Sequence, residues 1–173
     1  MSFGNKIIVS KIIDGDTFET ETGEKVRLIG INSPEITDIF GEEAKSHLTT
    51  LILGKTVELL TDSISNKTDR YNRLLRYVVI DNVDINKQMI LDGYAFAYLK
   101  YNFERKEDYK NSQLISTKKN LGIWSGIKNE KNNEIKSTKN ISNLSVYKYK
   151  SKYLYFLVVT ILALIGIYYY YKK

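Results

Sequence analysis

Cysteine is absent from the 173 residues and histidine occurs once. The first absence removes disulfide frameworks, thiolate zinc sites and cysteine nucleophiles together, so nothing in the chain requires an oxidising compartment. The second leaves a Ser-His-Asp device with one candidate imidazole, His47. It lies in a segment of helical pattern beside Glu42, Glu43 and Lys45, where a solvated helix-surface position is expected. Any catalysis must therefore run on carboxylates, arginines, tyrosines or a bound metal. The opening residues MSFGNKIIVS lack a charged stretch followed by an apolar one of useful length, so no secretory signal peptide is expected.

What is present is enough for one folded domain and an appendage: 43% of the residues are hydrophobic, which supports a core. The net charge is +6, but it is unevenly spread. Residues 1–126 carry 17 Lys and Arg against 18 Asp and Glu, whereas residues 127–173 carry 9 against 2. The basicity belongs to the tail. It speaks for an anionic surface near the tail more than for a folded part that grips phosphates.

In chain order, Lys6–Ile13 is an apolar, β-branched run that reads as a strand ending at Asp14-Gly15. Thr17–Thr22 and Val26–Ile31 read as a hairpin across Thr22-Gly23-Glu24, stopped by Pro34. Glu42–Leu53 places Ala44, Leu48, Leu51 and Ile52 at helical spacing, with Gly54 at its end. Thr56–Leu60 and Leu74–Ile80 are further strands around a polar loop, Thr61–Arg73; Asp84–Leu91 and Glu107–Asn120 read as helices. Five short strands with one helix after the third and two after the fifth fit a small, partly open β-barrel with packed helices, the OB-like architecture; an α+β open sheet is the alternative.

Residues 127–152, rich in Lys, Asn and Ser, read as a flexible basic stalk. Tyr153–Tyr171, YLYFLVVTILALIGIYYYY, is 19 residues without a charge, flanked by Lys152 and by the basic tail Lys172-Lys173. As a helix it would be roughly 28 Å long at about 1.5 Å per residue, near the thickness of a bilayer core. Terminal tyrosines with lysines outside them suit the two interfaces, so a single-pass C-terminal membrane anchor is expected. Lysine asymmetry across the span places the folded domain on the cytoplasmic side.

Chemistry concentrates in Ile13–Glu35, IDGDTFETETGEKVRLIGINSPE. Asp14 and Asp16 flank Gly15 at one strand junction, while Asn32 and Glu35 follow the end of a neighbouring strand. If those strands pair, several oxygen ligands meet at one point, which suits a hard divalent cation such as Ca²⁺. Acidic turn residues are usually solvated or bonded to their own backbone, so DGD alone makes no site. Arg27 adds to it: strand alternation puts it on the face of Ile29 and Ile31, opposite Val26, Leu28 and Gly30, where it needs an anionic partner or a place at the barrel rim. A second arginine, Arg73, closes the polar loop.

With IDGDT (Ile13–Thr17), VRLIGINSPE (Val26–Glu35), TDRYNR (Thr68–Arg73), DGYA (Asp92–Ala95) and LGIWS (Leu121–Ser125) in this order, residues 6 to 126 resemble the staphylococcal nuclease (thermonuclease-like) domain family. The resemblance implies an OB-fold barrel with three helices and a Ca²⁺-dependent phosphodiesterase acting on DNA and RNA with little sequence preference. Carried over by motif, Asp16 is a Ca²⁺ ligand, Ser33 offers its carbonyl to the metal, and Glu35 positions or deprotonates the attacking water. Arg27 and Arg73 bind the scissile phosphate and Tyr71 flanks the nucleotide. A second nucleotide-contacting tyrosine is expected after DGYA, with Tyr98 and Tyr101 both open.

Three departures from the best-known members stand out. Asn32 replaces an aspartate metal ligand, which removes one formal negative charge and implies weaker Ca²⁺ binding. The connection Ile36–Gly41 is short where they have a long mobile loop, and Asn72 stands in place of glycine, a near-neutral change because Asn tolerates a left-handed conformation. Two other functions compete with a membrane-tethered nuclease: a non-catalytic nucleic-acid or partner-binding OB module, and a folded spacer for a functional tail. The quartet Asp16, Arg27, Glu35 and Arg73 argues for catalysis, since binding alone has no need of it.

Overall fold

The computed structural model describes residues 5–125. The first strand, β1 (Asn5–Ile12), is long and apolar, but one residue is extra where it bends. Residues 5–8 pair antiparallel with β5 (Thr56–Leu60), and residues 9–12 pair antiparallel with β2 (Thr17–Thr20), with a register shift between Val9 and Lys11. Ser10 sits in that bulge and its hydroxyl donates to the carbonyls of Glu19 and Thr20. One strand thereby serves two sides of a barrel.

β2 pairs antiparallel with β3 (Lys25–Leu28), and β5 pairs antiparallel with β6 (Leu74–Ile80). A parallel pairing of β3 with β6, Val26 opposite Leu74 to Leu28 opposite Arg76, then joins the two ends. The five-stranded barrel is closed rather than partly open, and the open-sheet alternative is excluded. Side chains of Val9, Phe18, Val26, Leu28, Val57 and Val78 are buried in its core.

The third expected strand is two strands. β3 ends at Leu28, and β4 (Ile31–Asn32) begins after Gly30, whose φ is +75°. A Cβ at Gly30 would come within 2.6 Å of the Phe103 ring, so both backbone conformation and space demand glycine there. This break overturns the simple alternation of faces. Ile29 and Ile31 are buried although they were expected beside Arg27, because the chain turns between them. β4 pairs with a second short strand, β8 (Phe96–Ala97), as a separate two-stranded sheet. β7 (Val83–Asp84) adds to the edge of β6.

Among the described residues there are three α-helices, α1 (Gly41–Ile52), α2 (Ile85–Leu91) and α3 (Lys106–Lys119), and a 3₁₀ turn at Gly122–Trp124. α1 buries Ala44, Leu48 and Ile52. α2 starts at an Asp84 cap that accepts from the Lys87 amide. Its Asn86 is fully buried, accepting from the Val78 amide and donating to the carbonyls of Ile29 and Arg76. That side chain ties the helix to the mouth of the barrel beside the β3–β4 break. His47 is not a solvated surface residue: its Nε2 lies 2.8 Å from Asp92 Oδ2 and its ring stacks on Tyr94 at 4.3 Å. The spacing left this hidden because Asp92 and Tyr94 come from the far end of α2.

The expected stalk, residues 127–152, the expected membrane span, Tyr153–Tyr171, and the tail 172–173 lie outside the described residues. Among the described residues, no helix is long and apolar enough to cross a membrane.

Candidate active site

The chain enters the site at Asp14-Gly15-Asp16, between β1 and β2. Gly15 is there for space: a Cβ would stand 2.6 Å from Cβ of Ala44 on α1 and 2.7 Å from Cβ of Ser33. The DGD turn therefore lies directly against α1 and the start of the Ser33 segment. Asp14 Oδ1 accepts from the Asp16 amide at 3.0 Å, which orders the turn from within.

Asp16 is 5% exposed. Its Oδ2 accepts from the Ser33 amide at 2.8 Å and pairs with Arg27 Nη2 at 2.9 Å, while Oδ1 accepts from the Thr17 hydroxyl at 3.0 Å. Burial nevertheless pushes the Asp16 carboxyl up to about 6, against the attraction of Arg27 and with Asp14 adding to the push. A buried carboxylate held this way has room in its energetics for another positive charge.

Arg27, on β3, donates from Nη1 to the Leu28 carbonyl at 2.6 Å and from Nη2 to Asn32 Oδ1 at 3.2 Å. It thus meets Asp16 and Asn32 together, as an arginine at a barrel rim with an anionic partner. Asn32 in turn donates from Nδ2 to the Ser33 carbonyl at 3.3 Å. The β4–β8 pairing holds this segment in place, with Asn32 opposite Phe96.

Arg73 arrives from the other side, at the end of the loop before β6. Asp69 fixes it: Arg73 Nε donates to Asp69 Oδ2 at 2.7 Å, Nη2 pairs with the same oxygen at 2.6 Å, and Asp69 Oδ1 accepts from the amides of Tyr71 and Arg73. Burial opposes ionisation of Asp69, but these hydrogen bonds outweigh it and hold the carboxyl below its usual value. Arg73 Nη1 is left facing Thr17 Oγ1 at 3.4 Å, so Thr17 stands between the two halves of the site. Asn72 has φ 63°, the left-handed conformation expected of it.

Arg27, Arg73, Tyr71, Tyr98 and Tyr101 line one groove of about 950 Å³. Tyr71 is 63% exposed with the Arg73 guanidinium 5.4 Å from its ring centre. From a later segment, Tyr98 and Tyr101 are 37% and 60% exposed, with ring centres 5.7 Å apart. The structure puts both tyrosines in the groove lining, and the Tyr98 amide donates to the Gly30 carbonyl at the strand break. Glu35 stands two residues past Ser33 on an exposed turn, and its side chain makes no hydrogen bond or ion pair among the described residues.

The oxygens gathered here are the Asp16 carboxylate, Asn32 Oδ1 and the Ser33 carbonyl; each already accepts a hydrogen bond, and the Arg27 guanidinium lies between Asp16 and Asn32. Carboxylate and carbonyl oxygens are the donor types that a hard divalent cation takes. Among the described residues no three His, Cys, Asp or Glu side chains gather to hold a metal, so such a site depends on amide and carbonyl oxygens and carries little charge.

Sequence reasoning did not single out Thr17, Asp69 or Asn86. Asp69 had a signal, its position four residues before Arg73 in a turn-forming segment. Thr17 and Asn86 had none, because their partners come from distant strands.

The profile of the family described as Staphylococcal nuclease homologue matches residues 25–126. An uncharacterised protein of Methanocaldococcus jannaschii is 31% identical over 67% of this chain and 70% of its own length. An uncharacterised endonuclease of Haemophilus influenzae is 35% identical over 69% of this chain and 66% of its own. An uncharacterised endonuclease of Escherichia coli O157:H7 is 30% identical over 68% and 75%. The matched segment covers the β3–β4 segment with Arg27, Asn32 and Glu35, the loop with Asp69 and Arg73, and the tyrosine wall. With a closed five-stranded barrel, three helices and this groove, the chain belongs to the Staphylococcal nuclease homologue family.

Proposed function

We propose that the chain is a Ca²⁺-dependent phosphodiesterase that cuts DNA and RNA with little sequence preference and is tethered to a membrane by Tyr153–Tyr171, with the folded domain on the cytoplasmic side. The observation that carries the catalytic reading is the linkage of Asp16, Arg27, Thr17 and Arg73 at the edge of one tyrosine-lined groove. The tether rests on the 19 uncharged residues and their flanking lysines.

Each residue has a task that its surroundings support. Arg27 and Arg73 bind the scissile phosphate; both are already oriented by carboxylates, which lowers the ordering cost of presenting a guanidinium to phosphate oxygens. As negative charge grows on those oxygens, the two guanidiniums stabilise the transition state more than the ground state. Glu35, exposed and without a protein partner among the described residues, accepts the proton of the attacking water. Tyr71, Tyr98 and Tyr101 supply ring faces for bases, which are read by stacking rather than by hydrogen-bond pattern. Asp16, Asn32 and the Ser33 carbonyl hold the cation; when bound, Ca²⁺ supplies Lewis-acid stabilisation of phosphoryl oxygens.

The test is digestion of plasmid DNA and of RNA by the full chain in detergent micelles with millimolar Ca²⁺, with EGTA as control. Cleavage that EGTA abolishes is the expected result. A folded chain that binds oligonucleotide and cuts neither polymer refutes the enzyme and leaves the binding module. For the tether, alkaline carbonate should leave the full chain in the membrane pellet and release a chain ending at Ser151; release of both refutes it.

A further inference from the structure

The groove has two walls that come from separate parts of the chain: the loop 61–73, with Ile64, Ser65, Tyr71 and Arg73, and the segment 98–103, with Tyr98, Tyr101 and Phe103. Neither wall is a helix or a strand through most of its length. What holds them at a fixed separation is not the catalytic constellation. It is a buried acid that the mechanism leaves unused, Asp62.

Asp62 is 8% exposed and its two oxygens are divided between the walls. Oδ1 accepts from the amides of Ile64 at 2.9 Å and Ser65 at 2.7 Å, which folds the root of the first wall into a turn. Oδ2 accepts from the Glu104 amide at 2.7 Å, at the end of the second wall, and from the hydroxyl of Tyr77 on β6. Glu104 returns the contact: its Oε1 accepts from the amide of Ser63 at 3.3 Å and from the Ser63 hydroxyl. The two walls are interlocked reciprocally, each carboxylate accepting an amide of the other, with Tyr77 as the post that fixes both to the barrel. Tyr77 is itself held, since the Arg105 guanidinium lies 4.0 Å from its ring centre and Arg105 pairs with Asp84 at 2.7 Å.

We propose that Asp62 is a positioning residue that sets the separation of the groove walls and thereby the affinity for a nucleic-acid strand, without touching substrate or the reacting groups. The inference rests on the nuclease reading above. Charge-assisted hydrogen bonds to a carboxylate are the strong ones, and four donors converge on this one. Opening the interlock lowers the fraction of molecules whose walls are correctly spaced, and apparent affinity falls by that fraction. Arg27 and Asp16 lie outside both walls, and Arg73, at the barrel end of its wall, stays tied to Thr17, so turnover of bound substrate persists.

Asp62→Asn separates the two roles of the side chain. Its amide oxygen still accepts from Ile64 and Ser65 and its NH₂ group can donate to the Tyr77 hydroxyl, but that NH₂ faces the Glu104 N–H donor, which breaks the link between walls. Expected for the full chain is a KM raised about tenfold with kcat changed by less than about threefold, and faster hydrogen exchange at the Glu104 amide. Glu104→Ala, at an exposed position, removes only the returning contact and should raise KM about threefold. Melting temperatures measured alongside ensure that the assays run on folded protein, so Glu104→Ala carries the test if Asp62→Asn does not fold. A purely structural role would lower the melting temperature and leave KM unmoved well below it; KM within twofold of wild type in every variant that folds overturns the proposal. Dissociation constants for a fluorescent single-stranded oligonucleotide are read in parallel. If the wild-type chain cuts nothing, the nuclease reading fails, and the same ratios in binding decide the interlock by themselves.

Discussion

The buried Asp16 should make the metal-free protein lose stability as pH rises, and its replacement by a group that does not titrate should abolish that loss. Burial displaces this carboxyl from its ordinary 3.8 to about 6 even with Arg27 beside it. At ~1.36 kcal/mol per tenfold change in the proton equilibrium, the ionised form is disfavoured in the folded state by about 3 kcal/mol. The sign follows from linkage: a group whose folded value lies above its unfolded one contributes fully when protonated, and the contribution is lost as pH rises through the folded value. The wild-type chain with chelator should thus lose up to about 3 kcal/mol between pH 4 and pH 7 from this residue. Asp16→Asn cannot titrate, so it should show no such loss over this interval, whatever the fixed cost of an NH₂ group that meets the donors around Asp16. Urea unfolding of both proteins at pH 4.5 and pH 7 with EGTA, followed by Trp124 fluorescence, measures the difference. Millimolar Ca²⁺ should raise the wild-type midpoint and leave the variant unmoved. A wild-type chain whose stability relative to Asp16→Asn does not fall between pH 4.5 and pH 7 in chelator refutes the reasoning, because it would mean that the Arg27 pair outweighs burial.

Other outcomes follow from the same geometry. Arg73→Ala and Glu35→Gln should each lower kcat by at least about a hundredfold, Glu35→Gln with melting temperature nearly unchanged and Arg73→Ala with a loss from the Asp69 carboxylate it leaves unpaired; a fully active Arg73→Ala in a Ca²⁺ digestion assay would remove it from the mechanism. Asn32→Asp adds a formal charge beside Arg27 and should tighten Ca²⁺ binding about tenfold in a calorimetric titration; an unchanged affinity would remove position 32 from the metal site. Asp69 has a carboxyl held below its usual value, so its contribution is present above the unfolded value and lost as pH falls through the folded one. Asp69→Asn should consequently flatten the acid limb of the stability profile below pH 4, read by circular dichroism.

Much of this molecule was legible in its linear order because the signals were local. β-branched runs, a turn glycine after a strand and apolar spacing along Glu42–Leu53 reflect interactions within a few residues, and they placed the main strands and helices to within one or two positions, except the third strand, which ends at Leu28 and not Ile31. Motif order identified the family and the residues Asp16, Arg27 and Arg73, which the fold brings to one groove edge. The absence of cysteine and the single histidine narrowed the chemistry to carboxylates, guanidiniums, phenols and a metal on composition alone.

Only the tertiary structure decided the rest, and the reason is that each remaining feature is a contact between distant segments. Closure of the barrel depends on a parallel pairing of β3 with β6, strands separated by two other strands, a helix and a loop. The burial of Ile29 and Ile31 depends on a break at Gly30 that Phe103 enforces from 73 positions away. His47 meets Asp92, Asn86 meets Ile29, and Asp62 meets Glu104 across gaps that no periodicity spans. Chemical type is written residue by residue, so the sequence alone determined which kinds of group are available for chemistry. Which of them are neutralised, tethered or left free is set by partners that only folding supplies.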